Sequence, residues 1–151
     1  MNLVLVSRSL DKLKDVRQRL QAINNEIETR IIVADLGKGA RDIEMYKGIA
    51  EQVTDIDLAL VINNAGVMYA GEFKEISCEK QREMTIVNTY PYVLLARALL
   101  PYLQKRGADG RSTIVNLASS ASFFPLPYSA IYSSTKVFDR FFSEALSIEL
   151  S

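Results

Sequence analysis

Short apolar runs alternate along the chain with longer segments in which apolar residues recur every three or four positions. The runs are NLVLVSRS, TRIIVADLG, LALVINNAG and RSTIVNLAS, and their β-branched content predicts strands. The segments between and after them are LDKLKDVRQRLQAIN, ARDIEMYKGIAEQVT, residues 77–106 and AIYSSTKVFDRFFSEALSIEL, which read as helices. Strands separated by helices form right-handed βαβ units, so the pattern predicts an α/β fold with a doubly wound parallel sheet.

The same patterns predict which side chains are buried. The third run is apolar at successive positions, as expected for a strand that is covered on both faces. The last helix is expected to bury its apolar side chains: Val137, Phe138, Phe141, Phe142, Ala145 and Leu146. Pro91 lies inside the long helical segment, which it should kink or interrupt because proline has no backbone donor.

Composition restricts the chemistry open to these 151 residues. Eighteen basic residues balance eighteen acidic ones, which disfavours binding to nucleic acid or to an anionic membrane. The chain has no histidine and one cysteine, Cys78, so a zinc site, a histidine-based triad and an internal disulfide are excluded. No apolar run approaches the length of a membrane helix and no signal peptide is visible, so we expect a soluble chain.

Polar residues follow each predicted strand. Ser7 and Arg8 follow the first, Asp35 the second, Asn63 to Gly66 the third, and Ser119 and Ser120 the fourth. Ligands bind outside the carboxyl ends of parallel strands, so these residues are expected to converge on a site. Taken singly, each could equally be an ordinary loop or helix cap. Tyr132 and Lys136 add a phenol and an ammonium one turn apart on the last helix.

Four segments together resemble the classical short-chain dehydrogenase/reductase family. They are NNAG at 63–66, the VN that ends at Asn88, IVNLASSAS with Ser119 thirteen residues before Tyr132, and YSSTK at 132–136. The resemblance covers essentially the whole chain and implies a partial, Rossmann-like NAD(P)-binding domain over residues 1–151. The segment PLPYSAIYSSTKVFDRFFSEAL further resembles the branch of 3-oxoacyl-CoA reductases and 17β-hydroxysteroid dehydrogenases, which are often anchored in the endoplasmic reticulum membrane.

The resemblance implies a role for each matching residue. Tyr132 would give a proton to a substrate carbonyl or take one from an alcohol, and Lys136 would stabilise the phenolate and hold the nicotinamide ribose. Ser119 would hydrogen-bond the reacting oxygen, with Ser120 as the rival candidate. Asn88 would hold a water of a proton relay; alternatively, it satisfies a helix irregularity near Pro91.

The cofactor implied by the resemblance is NADP, with NAD less favoured. Arg8 stands where a carboxylate would select NAD, and no acid occurs until Asp11. The alternative is that Arg8 is a solvated loop residue. Asp35 would lie beside the adenine ring, and the backbone of Asn63, Asn64, Ala65 and Gly66 would pass close to the cofactor.

Both ends of the family pattern are missing. None of the seven glycines forms the glycine-rich turn that follows the family's first strand, and the sequence stops before the family's next strand. We therefore expect an incomplete sheet and a fragment of a longer protein. Two functions stay open: part of an NADP-dependent reductase or dehydrogenase, or a truncated, inactive remnant that acts at most as a binding fragment.

Substrate and assembly are less well defined by the sequence. The run from Phe123 to Pro127 could line an apolar acyl or steroid site, or could be a loop that packs on the core. A small-molecule carbonyl or alcohol substrate is expected, and the full-length parent could form a homodimer through its long helix and its tyrosine-bearing helix.

Overall fold

The computed structural model describes residues 2–39, 42–106 and 111–150. Its elements are β1 (Leu3–Ser7), α1 (Leu10–Ile23), β2 (Thr29–Val33), α2 (Ile43–Glu51), β3 (Leu60–Asn63), α3 (Cys78–Gln104), β4 (Thr113–Asn116), a short 3₁₀ turn (Ser120–Ser122) and α4 (Ala130–Glu149). The predicted α/β class with parallel strands is confirmed. The chain divides into two compact units, Met1–Lys38 and Gly39–Ser151; that residues 1–151 form one domain stays a prediction.

The first unit is a single βαβ motif. β1 and β2 pair in parallel from Leu3 opposite Thr29 to Ser7 opposite Val33, and α1 makes the crossover between them. The side chain of Ser9 caps α1 by accepting from the backbone N–H of Lys12 at 3.4 Å. This arrangement places residues 8 and 34 just past the carboxyl ends of neighbouring strands.

The second unit joins a parallel strand pair to three helices. β3 and β4 pair from Leu60 opposite Thr113 to Asn63 opposite Asn116. α3 packs against α2 and α4, and both α3 and α4 contact the strands. The apolar core of this unit consists of Tyr46, Ile49, Val53, Val61, Met84, Val87, Tyr92, Leu95, Leu99 and Leu103.

The expectation that β3 is covered on both faces is wrong. Val61 and Asn63 are buried, whereas Leu60 and Ile62 on the opposite face are exposed, Ile62 by 58%. Helix α3 contacts β3, and both α3 and α4 contact its neighbour β4. The described residues leave the other face open, which is why alternate apolar side chains of this strand meet solvent.

The expectation for the last helix is also wrong. The buried residues of α4 are Ser133, Thr135, Lys136 and Asp139, whereas Val137, Phe138 and Phe141 are exposed, Phe141 by 59%. The exposed Phe138 stacks on the half-buried Phe142, with the ring centroids 6.1 Å apart. The polar side chains turn inward because hydrogen-bond partners are available there.

Helix α3 runs through both of its prolines, so Pro91 does not mark a break. Pro91 is buried within the helix and leaves the carbonyl one turn earlier without its usual donor. In the preceding turns, the hydroxyls of Thr85 and Thr89 donate to the carbonyls of Gln81 at 3.0 Å and Thr85 at 2.6 Å.

The hydroxyl of Tyr46 is buried, and within the described part of the chain it has no hydrogen-bond partner. Burial, assisted by the charge of Asp42, raises the pKa of Tyr46 to about 12. We predict that Tyr46→Phe raises the free energy of unfolding by about 1 kcal/mol, because an unsatisfied buried polar group is removed. Urea unfolding followed by circular dichroism measures the change.

The stability gained by Tyr46→Phe should depend on pH. A tyrosine ionises near pH 10 in the unfolded chain but only near pH 12 when folded, so wild-type stability falls between these values. The advantage of Tyr46→Phe should therefore grow above pH 10. Tyr90→Phe, at a side chain that is 45% exposed, is the control and should change little; equal effects of the two substitutions would contradict this interpretation.

Candidate active site

The ammonium of Lys136 lies beneath the end of β4, where it meets three acceptors. Its Nζ donates to the carbonyl of Leu117 at 2.8 Å, to Asp139 Oδ2 at 2.8 Å and to the hydroxyl of Tyr92 at 3.3 Å. An ammonium has three N–H donors, so these acceptors match its capacity. Lys136 is only 4% exposed.

Tyr132 lies one turn before Lys136 on α4. Lys136 Nζ is 6.0 Å from the centroid of the Tyr132 ring and 5.2 Å from that of Tyr92. Tyr132 is half-buried, whereas Tyr92 is fully buried. The structure thus brings the predicted phenol and ammonium to one place and leaves Tyr132 partly exposed.

The backbone that follows β3 runs along the same place. A Cβ atom added to Gly66 would lie 3.4 Å from Asn88 Oδ1 and 4.0 Å from Lys136 Nζ. Gly66 is exposed. Three residues that the sequence assigned to one site, Gly66, Asn88 and Lys136, are therefore neighbours.

Asn88 holds this backbone in position. Its Oδ1 accepts from the backbone N–H of Val67 at 2.8 Å, and its Nδ2 donates to the carbonyl of Val67 at 3.0 Å and to the hydroxyl of Thr135 at 3.1 Å. The side chain is fully buried. Asn88 thus ties the segment after β3 to α3 and α4; its part in a proton relay stays a prediction.

Asn63 uses its side chain in a second polar network. Its Nδ2 donates to Asn116 Oδ1 at 2.8 Å, Asn116 Nδ2 donates to the hydroxyl of Ser143 at 2.8 Å, and that hydroxyl donates to the carbonyl of Asp139 at 2.7 Å. The network links β3, β4 and α4 on their buried side. Asn64 is exposed and Ala65 half-buried, and cofactor contacts from residues 63–66 stay a prediction.

Ser119 begins the short 3₁₀ turn after β4. Its hydroxyl oxygen accepts from the backbone N–H of Ala121 at 3.2 Å, and its carbonyl accepts from the hydroxyl of Ser122 at 2.7 Å. The turn packs against α4, the helix that carries Tyr132. The assignment of Ser119, rather than the exposed Ser120, as the substrate-binding hydroxyl stays a prediction.

Arg8 and Asp35 belong to the first unit. Arg8 is exposed just past β1. Asp35 follows β2, accepts from the backbone N–H of Gly37 at 3.1 Å and lies 4.0 Å from Lys38 Nζ. Asp35 therefore shapes the turn after β2, and the cofactor roles of both residues stay predictions.

Sequence reasoning missed Tyr92 and Asp139. The available signals were an acid three residues after Lys136, on a helix that looks apolar, and a tyrosine one turn after Asn88. Burial acts to lower the pKa of Lys136, but hydrogen bonding to Asp139 and the charges of Tyr92 and Asp139 outweigh it and raise that pKa above its usual value. Burial raises the pKa of Asp139, and Lys136 offsets part of this effect.

A cavity of about 280 Å³ lies beside the first turn of α4. The backbone N–H of Gly71 donates to the carbonyl of Tyr128 at 2.9 Å and joins its two walls. Tyr128 has a positive φ of 62°, which is uncommon for a residue other than glycine. Apart from Glu72, the cavity is lined mainly by apolar and aromatic residues: Tyr69, Gly71, Phe73, Ile76, Met84, Tyr128, Ala130 and Ile131.

Comparison with known proteins identifies the family of this chain. The family model described as short chain dehydrogenase matches residues 1–151. The chain belongs to this family. The resemblance found in the sequence motifs is thereby confirmed, and the roles of Tyr132 and Lys136 stay predictions.

Two relatives illustrate the range within the family. Very-long-chain 3-oxoacyl-CoA reductase-A of Danio rerio is 31% identical over 152 residues, which cover 98% of this chain and 45% of that protein. A human relative, 32% identical over 99% of this chain and 44% of its own length, is named inactive hydroxysteroid dehydrogenase-like protein 1. The chain thus spans about half the length of the relatives it matches.

Solved structures confirm the fold. L-sorbose reductase from Gluconobacter frateurii, determined with NADPH and L-sorbose, superposes with a TM-score of 0.83 at 27% identity, over 97% of this chain and 54% of that one.

In the ranges 2–39, 42–106 and 111–150, no helix combines the length and apolar character needed to cross a membrane.

We predict that Asn88→Ala destabilises the second unit by about 2–4 kcal/mol. The substitution removes three hydrogen bonds and leaves the Val67 N–H and carbonyl without their side-chain partner. Thermal or urea unfolding measures the loss.

Thr135→Val is the control because it keeps both bonds of Asn88 to Val67. It removes the Thr135 contact of Asn88 and the bond from the Thr135 hydroxyl to the carbonyl of Tyr132 at 2.7 Å, so it should cost about 1–2 kcal/mol. A loss in Asn88→Ala no larger than that in the control would show that the Val67 contacts are not the main role of Asn88.

Proposed function

We propose that this chain carries the catalytic residues of an NADP-dependent oxidoreductase that interconverts a carbonyl and an alcohol. The observation that carries the proposal is the convergence of Tyr132, Lys136 and the exposed Gly66 backbone at the carboxyl ends of β3 and β4. Ligands of open α/β sheets bind at such strand ends.

In this proposal Tyr132 moves the proton. Its phenol donates to the carbonyl oxygen in reduction and, as phenolate, accepts from the alcohol in oxidation. The ammonium of Lys136, 6.0 Å from the ring centroid, favours the phenolate by its charge. Ser119 hydrogen-bonds the reacting oxygen and fixes its position beside Tyr132.

The residues of the second unit fit the nicotinamide end of such a cofactor. Gly66 offers an exposed backbone without a side chain, and Lys136 Nζ lies about 4 Å from where a Cβ would stand. The cofactor, when bound, supplies or accepts the hydride, which no side chain can do. Arg8 is a basic residue at the sequence position where a carboxylate would select NAD, and this supports NADP over NAD.

We further propose an apolar substrate, such as a fatty 3-oxoacyl-CoA or a steroid. The largely apolar cavity beside the first turn of α4 supports this choice, as do the names of the relatives. For a longer protein that contains this chain, family resemblance favours the endoplasmic reticulum membrane and a homodimer.

A chimera tests the catalytic part of the proposal. This chain replaces its aligned counterpart in the Danio rerio reductase, and NADPH oxidation is followed with 3-oxoacyl-CoA and ketosteroid substrates. We expect turnover that Tyr132→Phe lowers by at least about 100-fold, because the proton donor is lost. Tyr90→Phe, an exposed tyrosine of α3, is the control and should retain turnover.

Cofactor choice is measured in the same chimera by fluorescence titration with NADPH and NADH. Arg8→Ala should reduce the preference for NADPH about tenfold or more, the effect of losing one charge-assisted bond to phosphate. A folded chimera that binds neither cofactor, or that binds but never turns over, would contradict the proposal and favour an inactive remnant.

A further inference from the structure

Two opposite charges are buried on one turn of α4. Asp139 is fully buried, Lys136 is 4% exposed, and Asp139 Oδ2 lies 2.8 Å from Lys136 Nζ. The hydroxyl of Tyr92, also fully buried, receives a hydrogen bond from Lys136 and donates to the carbonyl of Leu117 at 3.2 Å.

Fold stability does not account for this pair. Burying two charges carries a desolvation cost that is recovered only with complete hydrogen bonding. Asp139 Oδ1 is buried and has no hydrogen-bond partner among the described residues. One of the two carboxylate oxygens of Asp139 thus lacks a hydrogen bond, and a pair of apolar side chains would stabilise the fold at least as well.

The pair has a clear consequence for Lys136. A lysine this deeply buried tends to lose its proton, because burial disfavours the charged form. The groups that face Lys136 are Tyr92 from α3, Tyr132 and Asp139 from α4, and the uncharged backbone of Leu117 and Gly66. Asp139 is the carboxylate among them, and its hydrogen bond and charge, together with Tyr92, oppose the effect of burial on Lys136.

We propose that Asp139 is a positioning residue that keeps Lys136 protonated and fixes its Nζ beneath the end of β4. The inference rests on the proposed function, in which Lys136 must be charged to stabilise the phenolate. Its physical part, the dependence of the lysine's charge on Asp139, holds for the chain without any ligand.

The first experiment observes Lys136 directly in the 151-residue chain. Its side-chain ¹³Cε resonance, assigned by its loss in Lys136→Met, is followed with pH in wild type, Asp139→Asn and Asp139→Glu. In Asp139→Asn, Lys136 should lose its proton at least about one pH unit lower than in wild type, because burial is no longer opposed by a carboxylate. Asp139→Glu should restore most of the difference.

Asp15→Asn is the matched control. It makes the same change on α1, where Asp15 has 65% of its side chain exposed, and should leave the Lys136 titration unchanged. Equal titration of Lys136 in wild type and Asp139→Asn would overturn the inference. If Asp139→Asn does not fold, the titration of Lys136 in the wild-type chain decides. Titration below the ordinary lysine pKa of about 10.4 refutes the proposal, whereas titration above it supports the proposal.

The pH profile of turnover separates a positioning role of Asp139 from a merely structural one. In the chimera, Asp139→Asn should lose turnover on the alkaline side of the pH profile, where Lys136 is deprotonated, and retain it at lower pH. A merely structural role would reduce turnover equally at every pH, and this result would contradict the inference. An inactive wild-type chimera would contradict the proposed function, whereas the Lys136 titration would still decide the role of Asp139.

Discussion

A buried ammonium must find an acceptor for each of its three N–H groups, and this requirement organises the second unit. The acceptors of Lys136 come from three places: the backbone after β4, the hydroxyl of Tyr92 on α3 and the carboxylate of Asp139 on α4. They can meet only if α4 presents its polar side to the strand ends and lies against α3. The orientation of α4 therefore follows from hydrogen bonding as much as from apolar burial.

Side-chain amides extend the same principle to the neighbouring elements. Asn88 pairs with both backbone groups of Val67 in the way that another strand would, and Asn63 and Asn116 pair across β3 and β4. An amide supplies a donor and an acceptor in one plane, so a single residue can satisfy two backbone groups. These bonds place the backbone at Gly66 beside Lys136 and leave it open to a ligand.

The sequence predicted the elements and the family well, because both depend on local patterns. In the described residues, four strands and four α-helices occur where apolar periodicity placed them. Four motifs in register, NNAG, the VN at Asn88, IVNLASSAS and YSSTK, identified the family. The buried side of α4 was predicted wrongly, because a prediction from apolar periodicity takes no account of polar side chains that are buried with hydrogen-bond partners. Those partners, Asn88 and the carbonyl of Leu117, lie 47 and 19 residues away from Thr135 and Lys136. No local pattern contains that information. Asp139 is different: it lies only three residues after Lys136 and was overlooked because it stands on a helix that looks apolar.

The acceptor at Leu117 differs in kind from the other two. Asp139 and Tyr92 hold Lys136 with side chains, which a single substitution can delete, whereas Leu117 offers a carbonyl that every amino acid possesses. Its own side chain is 41% exposed and takes no part in the contact. The residue at this position can therefore drift during evolution without removing the acceptor. The lysine keeps one anchor that depends on the path of the backbone rather than on the identity of any residue.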